Sequence, residues 1–239
     1  MIGIAAALFL ALVAGIALAV VYDPPSCADG AQNQDEEGVD CGGSCAYLCD
    51  ASAAPLRVSF ARALSAGNRT DLLAYVENRN PEAEARRAPY TAEIFGEDGT
   101  LRAKREGVLD IPARATVPLF IPGLYGGDAP AARAFVSFGG VKWSAPREGS
   151  APVRVERAEL VPGTEPRVNA TVANPSARAV YGQKLVVTVF DAAGIALVAS
   201  QTVVREVPAQ GEAAAVFTWS APFPGEPARI EVLPVPVLP

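Results

Sequence analysis

Apolar and polar residues alternate with a period of two over most of the chain from Pro55 onward, and Gly, Pro and Asn interrupt the alternation at short intervals. Such alternation places every second side chain on one face, so it indicates half-buried β-strands joined by tight turns. The chain has 239 residues with 21 Gly and 21 Pro, which favours short strands over long helices. The sequence therefore predicts an all-β fold.

The β-rich part contains two copies of one unit. YVENRNP at 75–81 parallels TVANPSA at 171–177, and YTAEIFGEDGTL at 90–101 parallels LVVTVFDAAGIAL at 185–197. Three landmarks recur at an offset of 95 or 96 residues: Val76 and Val172, Phe95 and Phe190, Pro112 and Pro208. A constant offset indicates an internal duplication. Each copy has about 90 residues and about seven short strands, the size of an immunoglobulin-like sandwich.

The duplication predicts two tandem immunoglobulin-like β-sandwiches, at residues 54–146 and 151–239. The stretch APREGSAP at 145–152 has the Pro, Gly and Ser content of a linker. It is too short for independent tumbling, which predicts a semi-rigid rod. Gly99 and Gly194 end the predicted hairpin turns EDG and AAG, where a positive φ is expected. Neither copy contains Cys, so each core is expected to rest on apolar packing.

A different pattern begins the chain. Residues 2–21, IGIAAALFLALVAGIALAVV, carry no charged side chain and span roughly 30 Å as a helix, about one bilayer hydrocarbon core. This predicts a transmembrane helix over residues 1–22. A cleaved signal peptide and a buried core helix are the alternatives: ALA at 17–19 resembles a cleavage site, but a basic segment before the apolar run is missing.

The apolar run also predicts how the chain sits in a membrane. No Lys or Arg flanks its amino end and an acidic segment follows it, so the bulk of a single-pass protein of the cytoplasmic membrane is expected outside the cytoplasm. Small residues recur every four positions, which predicts a helix-packing face for an oligomer or for other membrane proteins, at Gly3, Ala7, Ala11 and Gly15. The alternative is chance, since Ala is abundant in this run.

All cysteines lie in the acidic segment predicted at residues 23–53, at Cys27, Cys41, Cys45 and Cys49. The extracytoplasmic context favours two disulfides, because oxidising compartments permit them and a small segment without a core needs them. Four thiolates on zinc are the alternative, since three intervening residues fit a zinc knuckle. Four cysteines allow three pairings, and the sequence does not choose among them.

The same segment is rich in oxygen ligands. Calcium prefers several oxygen donors in a flexible, glycine-containing loop, which predicts a calcium site as the one candidate cofactor site. An EF-hand does not fit, because Ser44 stands where the bidentate Glu belongs. The alternative is a solvated acidic turn whose Asn and Asp side chains bond their own backbone. The candidate ligands are Asp29, Asn33, Asp35, Glu36 and Asp40.

The segment CADGAQNQDEEGVDCGGSC at 27–45 resembles a recurring motif of bacterial and archaeal secreted or surface-anchored proteins, Cys-x-Asp-Gly-x-x-Asn-x-x-Glu-x-Gly-Val-Asp-Cys-Gly-Gly-x-Cys. The resemblance implies an extracytoplasmic disulfide module, often beside a membrane anchor or repeated β domains. The strand pattern of the two copies resembles the FxLYD and late-embryogenesis-abundant families of β-sandwich domains. That second resemblance implies non-catalytic binding or spacer modules.

Composition narrows the function classes. The chain has no His, which removes the usual general base and the triad chemistries that depend on imidazole. The net charge of −6 comes from residues 23–56, which hold seven acids and no base. No basic patch with interleaved aromatic residues is present, which argues against nucleic-acid binding. Acids in the two copies share no motif, so a carboxylate-dependent hydrolase is the least favoured function and the protein is predicted not to be an enzyme.

The sequence thus predicts a membrane-anchored, extracytoplasmic structural or interaction protein that displays two β-sandwich modules to other surface or membrane proteins. The alternative is a subunit of a surface filament or secretion assembly, packed through the N-terminal helix. Asn68-Arg-Thr and Asn169-Ala-Thr match the glycosylation sequon and predict outward-facing sites. Trp143 and Trp219 lie near the ends of the two copies and are expected to pack in a core or at an edge rather than bind a ligand.

Overall fold

The computed structural model describes residues 26–127, 129–146 and 153–238, and their regular structure is β apart from one 3₁₀ turn at Asp50–Ser52. This confirms the all-β class. The chain has two compact units, one ending at Cys49 and the other beginning at Asp50. Within the described ranges no helix has the length and apolarity needed to cross a membrane. The predicted anchor at 1–22 and its small-residue face, Gly3, Ala7, Ala11 and Gly15, lie outside those ranges.

Thirteen strands form the second unit, as far as the structure describes it. The first seven are β1 (Arg57–Ala66), β2 (Arg69–Glu77), β3 (Glu84–Phe95), β4 (Leu101–Ile111), β5 (Thr116–Tyr125), β6 (Arg133–Phe138) and β7 (Trp143–Ser144). The other six are β8 (Arg154–Val161), β9 (Arg167–Ala173), β10 (Val180–Phe190), β11 (Ala196–Val207), β12 (Glu212–Thr218) and β13 (Arg229–Pro234).

The strands form four antiparallel sheets whose order repeats. Sheet 1a has the order β1-β2-β5, and sheet 1b has the order β4-β3-β6, with β7 also paired to β3. Sheet 2a (β8-β9-β12) and sheet 2b (β11-β10-β13) repeat that arrangement. Contacts of β1 with β6 and of β4 with β5 join sheets 1a and 1b into a first sandwich, and β13 with β8 and β11 with β12 join the second. The repeated order agrees with the duplication in the sequence.

The core of the second sandwich follows from alternation along its strands. Val168 and Val172 of β9 face Leu185 and Val187 of β10, and Phe217 of β12 completes the cluster, with every one of these side chains almost fully buried. Because neighbouring residues of a strand point to opposite faces, the positions between them lie on the other face of each sheet. Trp143, at the end of the first sandwich, is likewise buried, as expected for a packing residue.

The hairpin glycines Gly99 and Gly194 have positive φ angles of 76° and 77°, as predicted for these turns.

A buried asparagine ends the second strand of each sandwich. In the first sandwich the side-chain Nδ2 of Asn78 donates to the carbonyls of Ala83 (2.8 Å) and Pro112 (2.9 Å). Its Oδ1 accepts the backbone N–H of Asn80 at 3.0 Å. One side chain therefore satisfies backbone groups of two separate connections, the one between β2 and β3 and the one between β4 and β5.

The second sandwich repeats the arrangement. Nδ2 of Asn174 donates to the carbonyls of Arg178 (2.8 Å) and Pro208 (3.0 Å), and its Oδ1 accepts the N–H of Ser176 at 3.0 Å. The Val-x-Asn that ends this strand in both sequence copies is thus a structural clamp. It joins the end of one strand to the turn that precedes the edge strand of its sheet.

We expect Asn174→Ala to lower the free energy of unfolding by about 2 kcal/mol or more, because each buried group left unpaired costs about 1–3 kcal/mol. Asn169→Ala is the matched control: Asn169 is exposed on β9, and surface substitutions change stability by about 0.5 kcal/mol or less. Urea unfolding of both variants is the measurement. Equal stability of the two variants would contradict the clamp.

The two sandwiches share a buried cluster. Over its last six residues, β10 is buried at every position, and β2 is buried at seven consecutive positions. One face of each strand lies in the core of its own sandwich. The opposite faces meet: Leu73 and Tyr75 of β2 pack in one cluster with Val186 and Phe190 of β10. Sheet 1a thus lies against sheet 2b, and the semi-rigid rod predicted from the short linker stays a prediction.

Aromatic rings occupy the centre of the shared cluster. The ring centroids of Phe60 and Tyr75 are 4.7 Å apart, and Phe190 meets both rings edge to face at 6.4 and 6.5 Å. The hydroxyl of Tyr75 donates to Oγ1 of Thr188 at 3.0 Å, and burial raises the pKa of Tyr75. Near the chain end, the N–H of Leu238 donates to Asp110 of the first sandwich at 3.2 Å. Apolar contact and hydrogen bonds, among them those of Tyr75 and Leu238, therefore join the sandwiches.

The outer face of sheet 2a lacks the apolar residues through which sheet 1a packs against sheet 2b. Where sheet 1a presents Leu73 and Tyr75, the matching positions of sheet 2a carry Asn169 and Thr171, which are not buried. Polar residues at these positions stabilise a solvent-facing sheet and remove the apolar surface that another sheet 2b would need.

A double-mutant cycle measures the polar contact within the shared cluster. Tyr75→Phe and Thr188→Val each remove one partner of this buried hydrogen bond, so each is expected to cost about 1–3 kcal/mol. The double variant is expected to cost less than the sum, with a coupling of about 1 kcal/mol. Tyr75→Phe combined with Asn169→Ala supplies the control cycle, for which additivity is expected. Additive costs in both cycles would show that the hydroxyls do not interact.

Candidate functional site

The cysteine-rich unit is held by two disulfides, Cys27–Cys45 and Cys41–Cys49. This confirms the predicted disulfides and selects one of the three pairings that the sequence allowed. The alternative of four thiolates on zinc is wrong for this structure, because every sulfur is bonded to another sulfur. Oε1 of the buried Glu36 lies 3.2 Å from the sulfur of Cys45, so the carboxylate packs directly against the first disulfide.

The Gly-Gly pair of the motif is required by close packing. Gly42 and Gly43 have φ of 76° and 57°, a region that favours glycine. A Cβ at Gly42 would lie 2.6 Å from Cβ of Glu37, and one at Gly43 would lie 2.1 Å from the carbonyl oxygen of Asp35. Any larger residue at either position would therefore displace Asp35 or Glu37.

Four of the predicted calcium ligands, the carboxylates, accept hydrogen bonds from neighbouring turns, and the fifth, Asn33, donates to two of them. Oδ2 of Asp29 accepts the N–H of Ser26 and the side-chain amide of Asn33, both at 2.9 Å, and its Oδ1 accepts the N–H of Ala31 at 2.9 Å. These donors hold the pKa of Asp29 below its ordinary value. Both carboxylate oxygens of Asp40 lie 3.1 Å from the N–H of Gly30.

The other two acids have similar roles. Oε2 of Glu36 accepts the N–H groups of Asn33 (3.2 Å) and Asp40 (3.3 Å). Oδ1 of Asp35 accepts the hydroxyl of Ser44 at 2.8 Å, which lowers the pKa of Asp35. Oδ1 of Asn33 is buried and has no hydrogen-bond partner among the described residues. The carboxylates thus cap turns, as the acidic-turn alternative describes, and calcium binding stays a prediction.

A cleft of about 650 Å³ lies between the two sandwiches. Its walls come from the β1–β2 hairpin with Asn68, from the start of β2 with Asp71, from β11 with Gln201, and from the loop after β12 with Trp219. The sequence predicted neither the cleft nor Asp71, because only the packing of sheet 1a on sheet 2b brings these four segments together. A single acid in an apolar run, DLLAYV, was the only local signal.

Asp71 is a buried carboxylate, 4% exposed. Its Oδ1 accepts the N–H of Gly123 at 2.6 Å and lies 3.5 Å from Nε of Arg69. Burial raises the pKa of Asp71, against the opposing effects of Gly123 and Arg69. A buried charge in a cleft is a common mark of a binding site.

Trp219 forms the opposite wall. Its ring meets Phe223 edge to face at 5.1 Å, and its Nε1 is buried without a hydrogen-bond partner among the described residues. It therefore packs at an edge, as predicted, and also lines a cleft. The two sequon residues lie on the surface, Asn68 in the hairpin turn at the cleft and Asn169 on the outer face of sheet 2a.

Comparisons with known proteins leave the family open. No family model matches the chain, and no curated protein matches it. Among solved structures, the chain is similar to red sea bream transglutaminase, with 17% identity and a TM-score of 0.27. That match covers 77% of this chain and 31% of the transglutaminase chain, so the chain spans about a third of that protein.

The raised pKa of Asp71 predicts a pH dependence of stability. Between the unfolded pKa of about 3.9 and the higher folded pKa, the folded carboxyl binds a proton that the unfolded one lacks. Relative to Asp71→Asn, the wild type should therefore gain stability as the pH falls from 7 toward 4. Urea unfolding across this range is the measurement.

Asp98→Asn is the matched control with the opposite sign. The hydroxyl and N–H of Thr100 lower the pKa of Asp98, so the wild type should lose stability relative to this variant as the pH falls below about 4. Parallel curves for the wild type and Asp71→Asn would contradict the assignment of Asp71.

Proposed function

We propose that the protein is a membrane-anchored, extracytoplasmic, non-catalytic protein that presents two immunoglobulin-like sandwiches as a rigid module for other surface or membrane proteins. The observation that carries the proposal is the pairing of all four cysteines in two disulfides, in the segment that directly follows the apolar run. Disulfides persist in oxidising compartments and are rare in the cytoplasm. A chain that is exported by its apolar run at residues 2–21 reaches such an oxidising compartment.

The shared cluster supports a presenting role. Two sandwiches that bury one aromatic cluster between them keep a fixed mutual orientation, so the surfaces on both are presented together. Such preorganisation lowers the entropic cost of binding a partner. The cleft with Asp71, Gln201 and Trp219 is one such composite surface, since residues of both sandwiches line it.

The chemistry of the cleft supports a non-catalytic role. Hydrolysis by paired carboxylates needs two acids about 5–10 Å apart across a cleft. Among the described residues that line this cleft, Asp71 is the one carboxylate, and the chain has no His to act as a base in its place. Binding is the function that this set of side chains supports.

A filament or secretion subunit is the second candidate. The observation that favours it is the row of small residues at Gly3, Ala7, Ala11 and Gly15, which would let another helix approach closely. The resemblance of residues 27–45 to surface-anchored proteins agrees with both candidates. The two differ only in whether the N-terminal helix binds lipid alone or a protein partner as well.

A topology experiment tests the main proposal. The full chain, carrying a C-terminal tag, is expressed in a bacterium, and intact spheroplasts are treated with protease. We expect the tag to be digested, the protein to stay with membranes after an alkaline wash, and its cysteines to resist a maleimide reagent until they are reduced. Each result follows from an anchored chain whose bulk lies in an oxidising compartment.

The double variant Leu10→Arg, Val13→Arg is the control. Two charges in the centre of the apolar run make insertion costly, so this variant should be protected from the protease and should react with maleimide without reduction. A wild-type tag that is protected, or cysteines that react at once, would refute the extracytoplasmic proposal. Release of the wild type by the alkaline wash would refute the anchor.

A further inference from the structure

Sheets 1a and 2a each end in an edge strand at the same place, β5 in the first and β12 in the second. The hydrogen bonds at their ends identify which backbone groups face outward. The N–H of Asn78 donates to the carbonyl of Ala115 just before β5, and the N–H of Asn174 donates to that of Gly211 just before β12. The N–H of Trp219, just after β12, donates to Pro166.

These bonds all involve odd-numbered residues of the edge segments. Because bonding alternates along an antiparallel strand, the even-numbered residues of β5 and β12 direct their N–H and C=O groups away from the sheet. In β5 one of these outward positions is Pro118, which has no N–H to offer, and Pro122 lies in the irregular stretch where the register with β2 shifts. Proline on an edge strand is a common protection against pairing with another chain.

β12 lacks this protection. Tyr75 and Thr171 are equivalent residues of the two copies. Pro118 of β5 lies opposite Tyr75, whereas Ala214 of β12 lies opposite Thr171. Likewise, Thr218 of β12 is equivalent to Pro122 of β5. The outward residues Glu212, Ala214, Val216 and Thr218 keep all their donors, and Val216 is 49% exposed. By contrast, β8 at the other edge of sheet 2a carries four charged residues, Arg154, Glu156, Arg157 and Glu159.

The sequence of β12 complements itself in one antiparallel register. With the two-fold axis at Ala215, Ala214 of one copy lies opposite Val216 of the other, and Glu212 lies opposite Thr218. All four opposed positions are outward-facing, so each pair exchanges backbone hydrogen bonds. The two glutamates lie at opposite ends of the pairing, which avoids the cost of like charges directly opposite each other.

We propose that β12 is the pairing edge through which two copies of this chain form a symmetric dimer, with one antiparallel sheet of order β8-β9-β12-β12-β9-β8. The interface is isologous, so it closes at two copies. Pro118 of β5 blocks the corresponding pairing by the first sandwich, which distinguishes the edge at β12 from the edge at β5. This dimer is independent of any association through the N-terminal helix.

Substitution of Ala214 by proline tests the proposal. Proline is compatible with an edge strand at this position, because the equivalent residue of β5 is Pro118. Ala214→Pro removes one outward N–H on each copy, whereas Ala214→Val keeps it. We expect full-length wild type and Ala214→Val in detergent micelles to have the protein mass of a dimer by light scattering, and Ala214→Pro to dissociate at least tenfold more readily. Val216→Lys, which places two cations near the axis without touching the core, should have the same effect as Ala214→Pro.

Amide hydrogen exchange identifies the strand itself. The amides of Ala214, Val216 and Thr218 should exchange more slowly as the wild-type concentration rises, and should lose that dependence in Val216→Lys. Thermal unfolding shows whether each variant folds. If Ala214→Pro does not fold, Val216→Lys still tests the proposal. A dimer that survives in both variants, or a wild type that stays monomeric with fast exchange at all concentrations, would overturn the proposal.

Discussion

The burial of β2 and β10 on both faces is the constraint on which the rest of the large unit depends. A strand in an ordinary sandwich needs apolar residues on one face only, but these two strands contribute to their own cores and to the cluster between the sandwiches. Strands covered on both sides favour continuous apolar runs, which is what DLLAYV and LVVTVF are. The mutual orientation of the sandwiches, the cleft between them and the position of Asp71 in its wall all follow from this contact.

The duplication preserved the interior and changed the outside. Asn78 and Asn174 clamp equivalent carbonyls in the two copies, because a buried turn with unpaired backbone groups would destabilise either sandwich. The outer faces carry no such requirement, so Tyr75 in the shared cluster corresponds to the polar Thr171 on a free face. The same divergence separates the proline-bearing edge of β5 from the alanine-rich edge of β12. The two sandwiches thus share one strand order, but their outer faces and edge strands differ in sequence and in what they contact.

The cysteine-rich unit obtains its structure by other means. It is too small to bury an apolar core, so two disulfides and a set of carboxylates that accept backbone N–H groups hold its turns. Asp29 and Glu36 each accept several donors, and Gly43 allows the chain to pass the carbonyl of Asp35. The concentration of acids in this unit therefore has a structural role.

The sequence by itself determined the all-β class, the duplication and the hairpin glycines, because strand alternation and a constant offset are local or periodic signals. It favoured disulfides over a zinc site without excluding zinc. The strand-ending Val-x-Asn was visible as well, although its role as a clamp required the carbonyls of Pro112 and Pro208. Only the tertiary structure decided the cysteine pairing, the contact of Tyr75 with Thr188, and the cleft that joins Asp71 to Trp219. Each of these depends on residues distant in the chain, and the packing of two continuous apolar strands against each other brings them together.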